Sequence, residues 1–248
     1  MVLLIIIIST IKKSQDFFFL SFKVLSVSIQ NTGDNMEYEN KEICRECGGS
    51  CCKKSGCDYY TSDFEVLNKN AILDLLKTGN VSIVSALKFS KTRDGKTIVS
   101  PFLYLRARNE DRDVIDLFSM KRQCSMLTST GCSYDIENRP AGGVNLIPSK
   151  ERCTPLLNPM DELNKWTPYQ NMLSKIVTRY TGKSVMEVLR EDVSTVFYQV
   201  LTKDFDGVDE REVAEITSCI QELSLCYPKE YEQAKEKQKV STKIYCKK

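Results

Sequence analysis

Five cysteines fall in one short string, CRECGGSCCKKSGC: Cys44, Cys47, Cys51, Cys52 and Cys57. Two thiols in a CxxC spacing can turn both sulfurs toward one metal ion. Gly48 and Gly49 follow the first pair, and glycine admits the positive φ that a tight thiolate loop uses. Cys51 and Cys52 are adjacent, and neighbouring residues bridge each other only with strain, which argues against a plain disulfide pattern. Their sulfurs diverge, which favours two metals or a bridged cluster over one shared ion. Cys124, Cys132 and Cys153 extend the candidate ligands to a set of eight. Such a set could form two four-cysteine zinc sites, one iron–sulfur cluster with spare thiols, or a dinuclear cluster with bridging sulfur. Spacing leaves that choice open. Lys41, Arg45, Lys53 and Lys54 surround the string; they could offset thiolate charge or form an ordinary solvated basic loop.

What is missing narrows the chemistry further. The chain has no histidine. That excludes the HExxH zinc site, the histidine-based deaminase site, and nucleophiles activated by imidazole. Any metal must be held by thiolates, with carboxylates or backbone assisting. Lysine plus arginine number 35 against 33 acids, so no basic stripe of a nucleic-acid binder is expected. Cysteine at 11 of 248 residues is high, and the number is odd, so complete pairing is impossible. In a reducing compartment such thiols point to metal or redox chemistry.

The elements that would position these residues read as α+β. Residues 36–158 form a small mixed domain carrying the cysteine cluster, and residues 159–248 a helical region ending in a charged tail. In the first part Ser62-Asp63-Phe64-Glu65 has the pattern of a capping box before one or two short helices through Leu76. Gly79 is a stop signal, and residues 82–89 are read as a further helix. Asp94-Gly95 marks a turn. Strands are expected over 97–106 and 114–119, and a hairpin over 124–134 with Ser129-Thr130-Gly131 at its tip. From Phe102 to Arg108 apolar residues alternate with basic or small ones, as on a half-exposed strand; Arg106 and Arg108 read as solvated charges, with binding of an anionic ligand the alternative. In the second part Thr167-Pro168 opens a helix that Gly182 ends. Ser184 and Glu187 cap a second helix running to Asp206-Gly207, and Asp209 with Glu212 starts a third that stops at Pro228. Cys219 and Cys226 sit on that third helix's apolar stripe and read as core thiols. Trp166 reads as packing, and Cys246 lies in the tail.

The ordered cysteines carry a resemblance. Cys44, Cys47, Gly48, Cys51, Cys52 and Cys57, then Cys124, Cys132-Ser133-Tyr134, Arg139-Pro140 and Cys153, resemble the YkgJ-like cysteine-cluster family of CxxCxxCC proteins over residues 43–157. That resemblance implies a zinc- or iron-chelating domain. Some proteins bearing the cluster are assigned as flagellin lysine-N-methylases, which gives the alternative of methyl transfer to a protein lysine. Two departures stand out. One extra residue separates the second and third cysteines. Where the family often has a cysteine just after Arg-Pro, this chain has Ala141-Gly142-Gly143, and Cys153 comes later.

Residues 1–35 differ from the rest. Met1–Ile8 is apolar but too short to span a bilayer, and no basic region precedes it. Translation from Met36 is the favoured reading: Thr32-Gly33-Asp34 can be encoded ACA-GGA-GAT, which contains a bacterial ribosome-binding sequence. On that reading residues 1–35 are a non-native or disordered extension, no membrane contact is expected, and the protein is cytoplasmic. Three functions compete: a metal-binding protein holding zinc or iron, an iron–sulfur cluster included; a lysine methylase; and a secreted disulfide-rich protein, which needs the leading segment. The metal ion is the expected partner. No glycine-rich adenosylmethionine fingerprint is present. If metal clamps the cluster, ligands from both ends would hold residues 58–123 between them.

Overall fold

The computed structural model describes residues 41–47, 49, 57–108, 113–120, 124, 126–128, 131–133, 138–147, 149, 153–208 and 210–245. The architecture is α+β, as the pattern predicts. Its centre is a long hairpin, β1 (Val81–Lys91) and β2 (Thr97–Ala107), paired antiparallel from Val81 with Ala107 to Lys91 with Thr97. Asp94-Gly95 makes the turn, with Gly95 at φ +81°. Residues 82–89 are therefore strand, not helix. Ile83, Ser85, Leu87 and Phe89 alternate with their neighbours at period two, and each residue has a partner across the hairpin, a pairing that outweighs local propensity.

Two short segments widen this sheet. On the outer edge of β2, the Ala107 amide donates to the Cys57 carbonyl (2.8 Å) and the Tyr59 amide donates to the Leu105 carbonyl (2.9 Å). On the outer edge of β1, the Ile83 amide donates to Val114 O (2.8 Å) and the Asp116 amide to Ile83 O (3.0 Å), a parallel bridge at Ile115. The strand expected over 114–119 does not form; an isolated bridge at Ile115 takes its place, with bends on either side.

Helices from the second half cover the sheet. α2 (Lys69–Leu76) is capped by Asn68, whose side chain accepts from the Asn70 and Ala71 amides. The expected capping box at Ser62 is not used. Thr61–Asp63 is a single 3-10 turn, and Asp63 instead accepts from the Tyr60 and Ala141 amides. A turn at Thr167–Tyr169 leads into α5 (Gln170–Thr181), closed by Gly182 at φ +68°; α3 (Ala141–Val144) and α4 (Pro159–Asn164) are short helices before it. α6 (Val185–Thr202) carries the Ser184–Glu187 capping box and ends at Lys203, four residues short of Gly207. α7 (Glu210–Cys226) lies along β2, and α8 (Pro228–Tyr245) packs along α6. Pro228 begins α8 rather than only ending α7, and the segment read as a charged tail is this docked helix. Its buried side is formed by Tyr227, Tyr231 and Ala234, with Tyr231 edge-on to Phe197 at 5.0 Å between centroids.

One core runs through both parts of the chain. Ile83, Leu103 and Leu105 of the sheet cluster with Trp166, Leu173, Ile176, Leu189 and Phe197 of the helices. Trp166 is fully buried, and its indole N–H donates to the Tyr59 carbonyl (3.1 Å). The Gln170 side-chain amide both accepts from the Leu103 amide (2.9 Å) and donates to the Leu103 carbonyl (2.8 Å), closing β2's edge where the Cys57–Tyr59 segment leaves it. Among the described residues, no helix is long and apolar enough to cross a membrane.

Candidate metal centre

The candidate ligands lie on small elements around the central sheet and, for Cys57, on the sheet's outer edge. Cys44 and Cys47 lie on α1 (Lys41–Cys47), where the backbone is described. β3 (Leu127–Thr128) and β4 (Gly131–Cys132) form the expected hairpin, with Leu127 opposite Cys132. α1 lies against β4, so the backbone brings Cys132 near the CxxC helix across more than eighty residues of sequence. A second contact agrees with it. A Cβ added to Gly49, at φ +74°, would collide with Leu127 Cδ1, so the glycine lets the loop after α1 close onto β3. Cys124 is buried, and its carbonyl accepts from the Leu127 amide (3.2 Å). Cys51 and Cys52 fall outside the described residues.

Cys57 and Cys153 are held by a neighbouring group. Cys57 is buried at the start of β2's outer edge strand. The turn Pro140–Val144, which contains α3, docks on that strand: the Gly142 amide donates to the Asp58 carbonyl (3.0 Å). α3 leads into β5 (Leu146–Ile147), which pairs with β6 (Thr154–Pro155), and half-buried Cys153 precedes β6. Pro140 is buried at the start of this turn, and its carbonyl accepts from the Gly143 amide (2.8 Å). Among the described residues, no group of three or more Cys, Asp or Glu side chains is close enough to hold a metal ion. That set contains Cys57, Cys124, Cys132 and Cys153, but not the side chains of Cys44, Cys47, Cys51 or Cys52.

The charges beside Cys57 are buried, contrary to the reading of a half-solvated strand. Arg106 is 8% exposed and its guanidinium is ion-paired with Asp58. Burial works against its charge, yet the Asp58 carboxylate, with Tyr104 and Glu212, leaves its pKa raised. Burial chiefly, aided by the Asp58, Glu162 and Asp63 carboxylates, raises the Tyr60 phenol, so it stays protonated at neutral pH. Burial also raises Asp63, although the Tyr60 and Ala141 amides oppose the shift. Arg108 is 3% exposed and lies 3.7 Å from Asp116. Strand alternation marked both arginines as facing one way but carried no sign of the carboxylates that meet them, one of which is 48 residues distant.

Two further thiols lie on α7, and Cys246 falls outside the described residues. Cys219 and Cys226 are partly buried on α7 and pack against the core, as expected; the Cys226 thiol faces Thr97 O at 3.5 Å, and burial raises its pKa. An open groove between α6 and α8, lined by Thr195, Tyr198, Gln233 and Lys237 among others, contains no cysteine. No family model matches the chain, and no curated protein or solved structure matches it.

Proposed function

We propose that this chain is a metal-binding protein of a reducing, cytoplasmic compartment that holds zinc or an iron–sulfur centre through cysteine thiolates. The ligands proposed are Cys44, Cys47, Cys51, Cys52, Cys57, Cys124, Cys132 and Cys153. The observation that carries the reading is the packing of α1 against β4, which sets Cys132 beside the CxxC helix. Random surface thiols would not be expected at both sides of such a contact. The donor chemistry fits: with no histidine in the chain, thiolate is the one soft donor present in quantity, and soft thiolates select zinc and iron–sulfur centres. The closed approach of Gly49 to Leu127 and of Gly143 to Cys57 also fits a site whose backbone is drawn in tightly. Bound metal would supply folding energy to elements too short to stand alone, on the order of 10 kcal/mol per structural zinc. The chain's own part is to hold the thiolates at fixed separations and to exclude water from Cys57 and Cys124.

Metal analysis of the full chain purified without oxygen tests this. Wild type should retain zinc or iron in near-stoichiometric amount, and Cys47→Ser and Cys132→Ser should each retain clearly less. Visible absorption from sulfur-to-iron charge transfer separates an iron–sulfur centre from colourless zinc. Wild-type protein with only trace metal, and no uptake on titration with zinc or cobalt(II), overturns the reading.

A further inference from the structure

The two glycines after Arg139-Pro140 are not required by backbone angle. Gly49, Gly79, Gly95, Gly182 and Gly207 all have positive φ; Gly142 and Gly143 do not. They occupy a one-turn helix, where glycine is the least favoured residue except proline. What requires them is space. A Cβ on Gly142 would stand 2.5 Å from the Asp58 carbonyl oxygen, and a Cβ on Gly143 would stand 2.6 Å from Cys57 Sγ. The backbone of the turn is therefore the wall against which the Cys57 sulfur rests.

We propose that Gly143 is a positioning residue for the Cys57 thiolate, fixing where that sulfur stands as a metal ligand. This rests on the metal-binding reading above. The rest of Cys57 is already immobile. Its carbonyl accepts from the Ala107 amide, and its neighbour Asp58 is held by the Gly142 amide and by the Arg106 ion pair. With the main chain fixed on the sheet edge, one freedom remains to the side chain, rotation about Cα–Cβ. The Gly143 backbone limits that rotation. An alanine there must turn the sulfur away or push the turn off the edge strand, and either changes the ligand's position.

The test compares full-length wild type, Gly143→Ala, Cys57→Ala and the double variant, each titrated with cobalt(II). Thiolate-to-cobalt absorption reads the number of sulfur donors, and the fluorescence of Trp166, which touches Tyr59, reports folding. Gly143→Ala should lose the same absorption as Cys57→Ala, about a quarter of the signal of one four-thiolate site. It should cause no further loss once Cys57 is alanine. This null effect in the double variant is what a merely structural role would not give. Retention of the full wild-type signal by Gly143→Ala overturns the proposal while leaving the metal reading intact. An equal further loss in the Cys57→Ala background overturns it too. If Gly143→Ala alone does not fold, the double variant should restore the Trp166 signal, because the opposing sulfur is gone; failure to restore it is a refutation. Absence of cobalt binding by wild type removes both proposals together.

Discussion

The Asp192 carboxylate accepts hydrogen bonds from the Leu117 and Phe118 amides, at 2.9 and 3.1 Å, and so ties the edge segment of the sheet to α6. Burial pushes its pKa up to about 7, with the Asp116 and Asp113 charges adding to the shift and the two amides opposing it. The folded state therefore disfavours the ionised form relative to the unfolded chain. The stability this group contributes is complete below its ordinary pKa near 4 and is lost as pH rises through about 7. Asp192→Asn keeps an oxygen for both amides and removes the charge. It should flatten the decline between pH 4.5 and 8 and gain roughly 1–3 kcal/mol at the upper end. Urea melts of both proteins across that range check this; parallel profiles would exclude Asp192 as the titrating group. At this scale the sequence was legible where chemistry is local and opaque where partners are distant. The cysteine spacing stood out unaided. Nothing in the sequence singles out Asp192, and Ala141-Gly142-Gly143 reads as a departure from a family pattern, because the atoms that explain them lie 74 residues away for Asp192 and 84 and 86 residues away for the two glycines.

Some helix ends were readable, since caps are short-range chemistry, while the box at Ser62 is unused and α6 stops before Gly207. Ser184 with Glu187 and the stop at Gly182 stand where the sequence puts them. β1 was misread because Val81-Ser82-Ile83-Val84 suits either period over so short a run, and only pairing with β2 decides. α8 was read as a charged tail without a trustworthy apolar stripe, for a different reason. Its docking side is built from tyrosine and alanine rather than a leucine stripe, so its hydrophobic pattern is faint. That side gives a direct prediction. Tyr231→Ala removes the ring packed edge-on against Phe197 and should cost about 1–3 kcal/mol, less than full truncation of a core aromatic because Tyr231 is half-buried. Glu232→Ala, one residue along on the exposed side, should change stability by less than about 0.5 kcal/mol despite its ion pair with Lys235. Denaturation midpoints that fail to separate the two would mean that α8 is not docked in solution.

At the scale of the molecule, hydrophobic burial and cysteine placement divide the structure unequally. The large buried side chains belong to α2, the β1–β2 sheet with its edge segment, and the helices that cover it: Ile72, Leu76, Ile83, Leu103, Leu105, Leu117, Met120, Trp166, Leu173, Ile176, Leu189 and Phe197. The elements around the candidate ligands are a seven-residue helix, a one-turn helix and strands of two residues. Strands and helices that short are not stable alone in water. Their order must come from tertiary contacts, of which a metal, bound as proposed, would be the strongest. Read from the sequence, loss of metal should loosen everything from residue 58 to 123. The structure argues for a narrower effect. Trp166 and Gln170 hold β2 from one side, and Asp192 holds the segment beside β1 from the other, none of them through a cysteine. Removing metal from the full chain with a chelator should therefore abolish hydrogen-exchange protection in α1, β3–β4 and β5–β6. The amides of Ala107, Tyr59 and Gly142 around Cys57 should lose part of theirs, and those of Ile83 and Leu103 should keep most. Uniform loss across the sheet would show that metal stabilises the whole fold. Unchanged protection in α1 and β4 would show that no metal orders them, and the thiolate reading would fall with it.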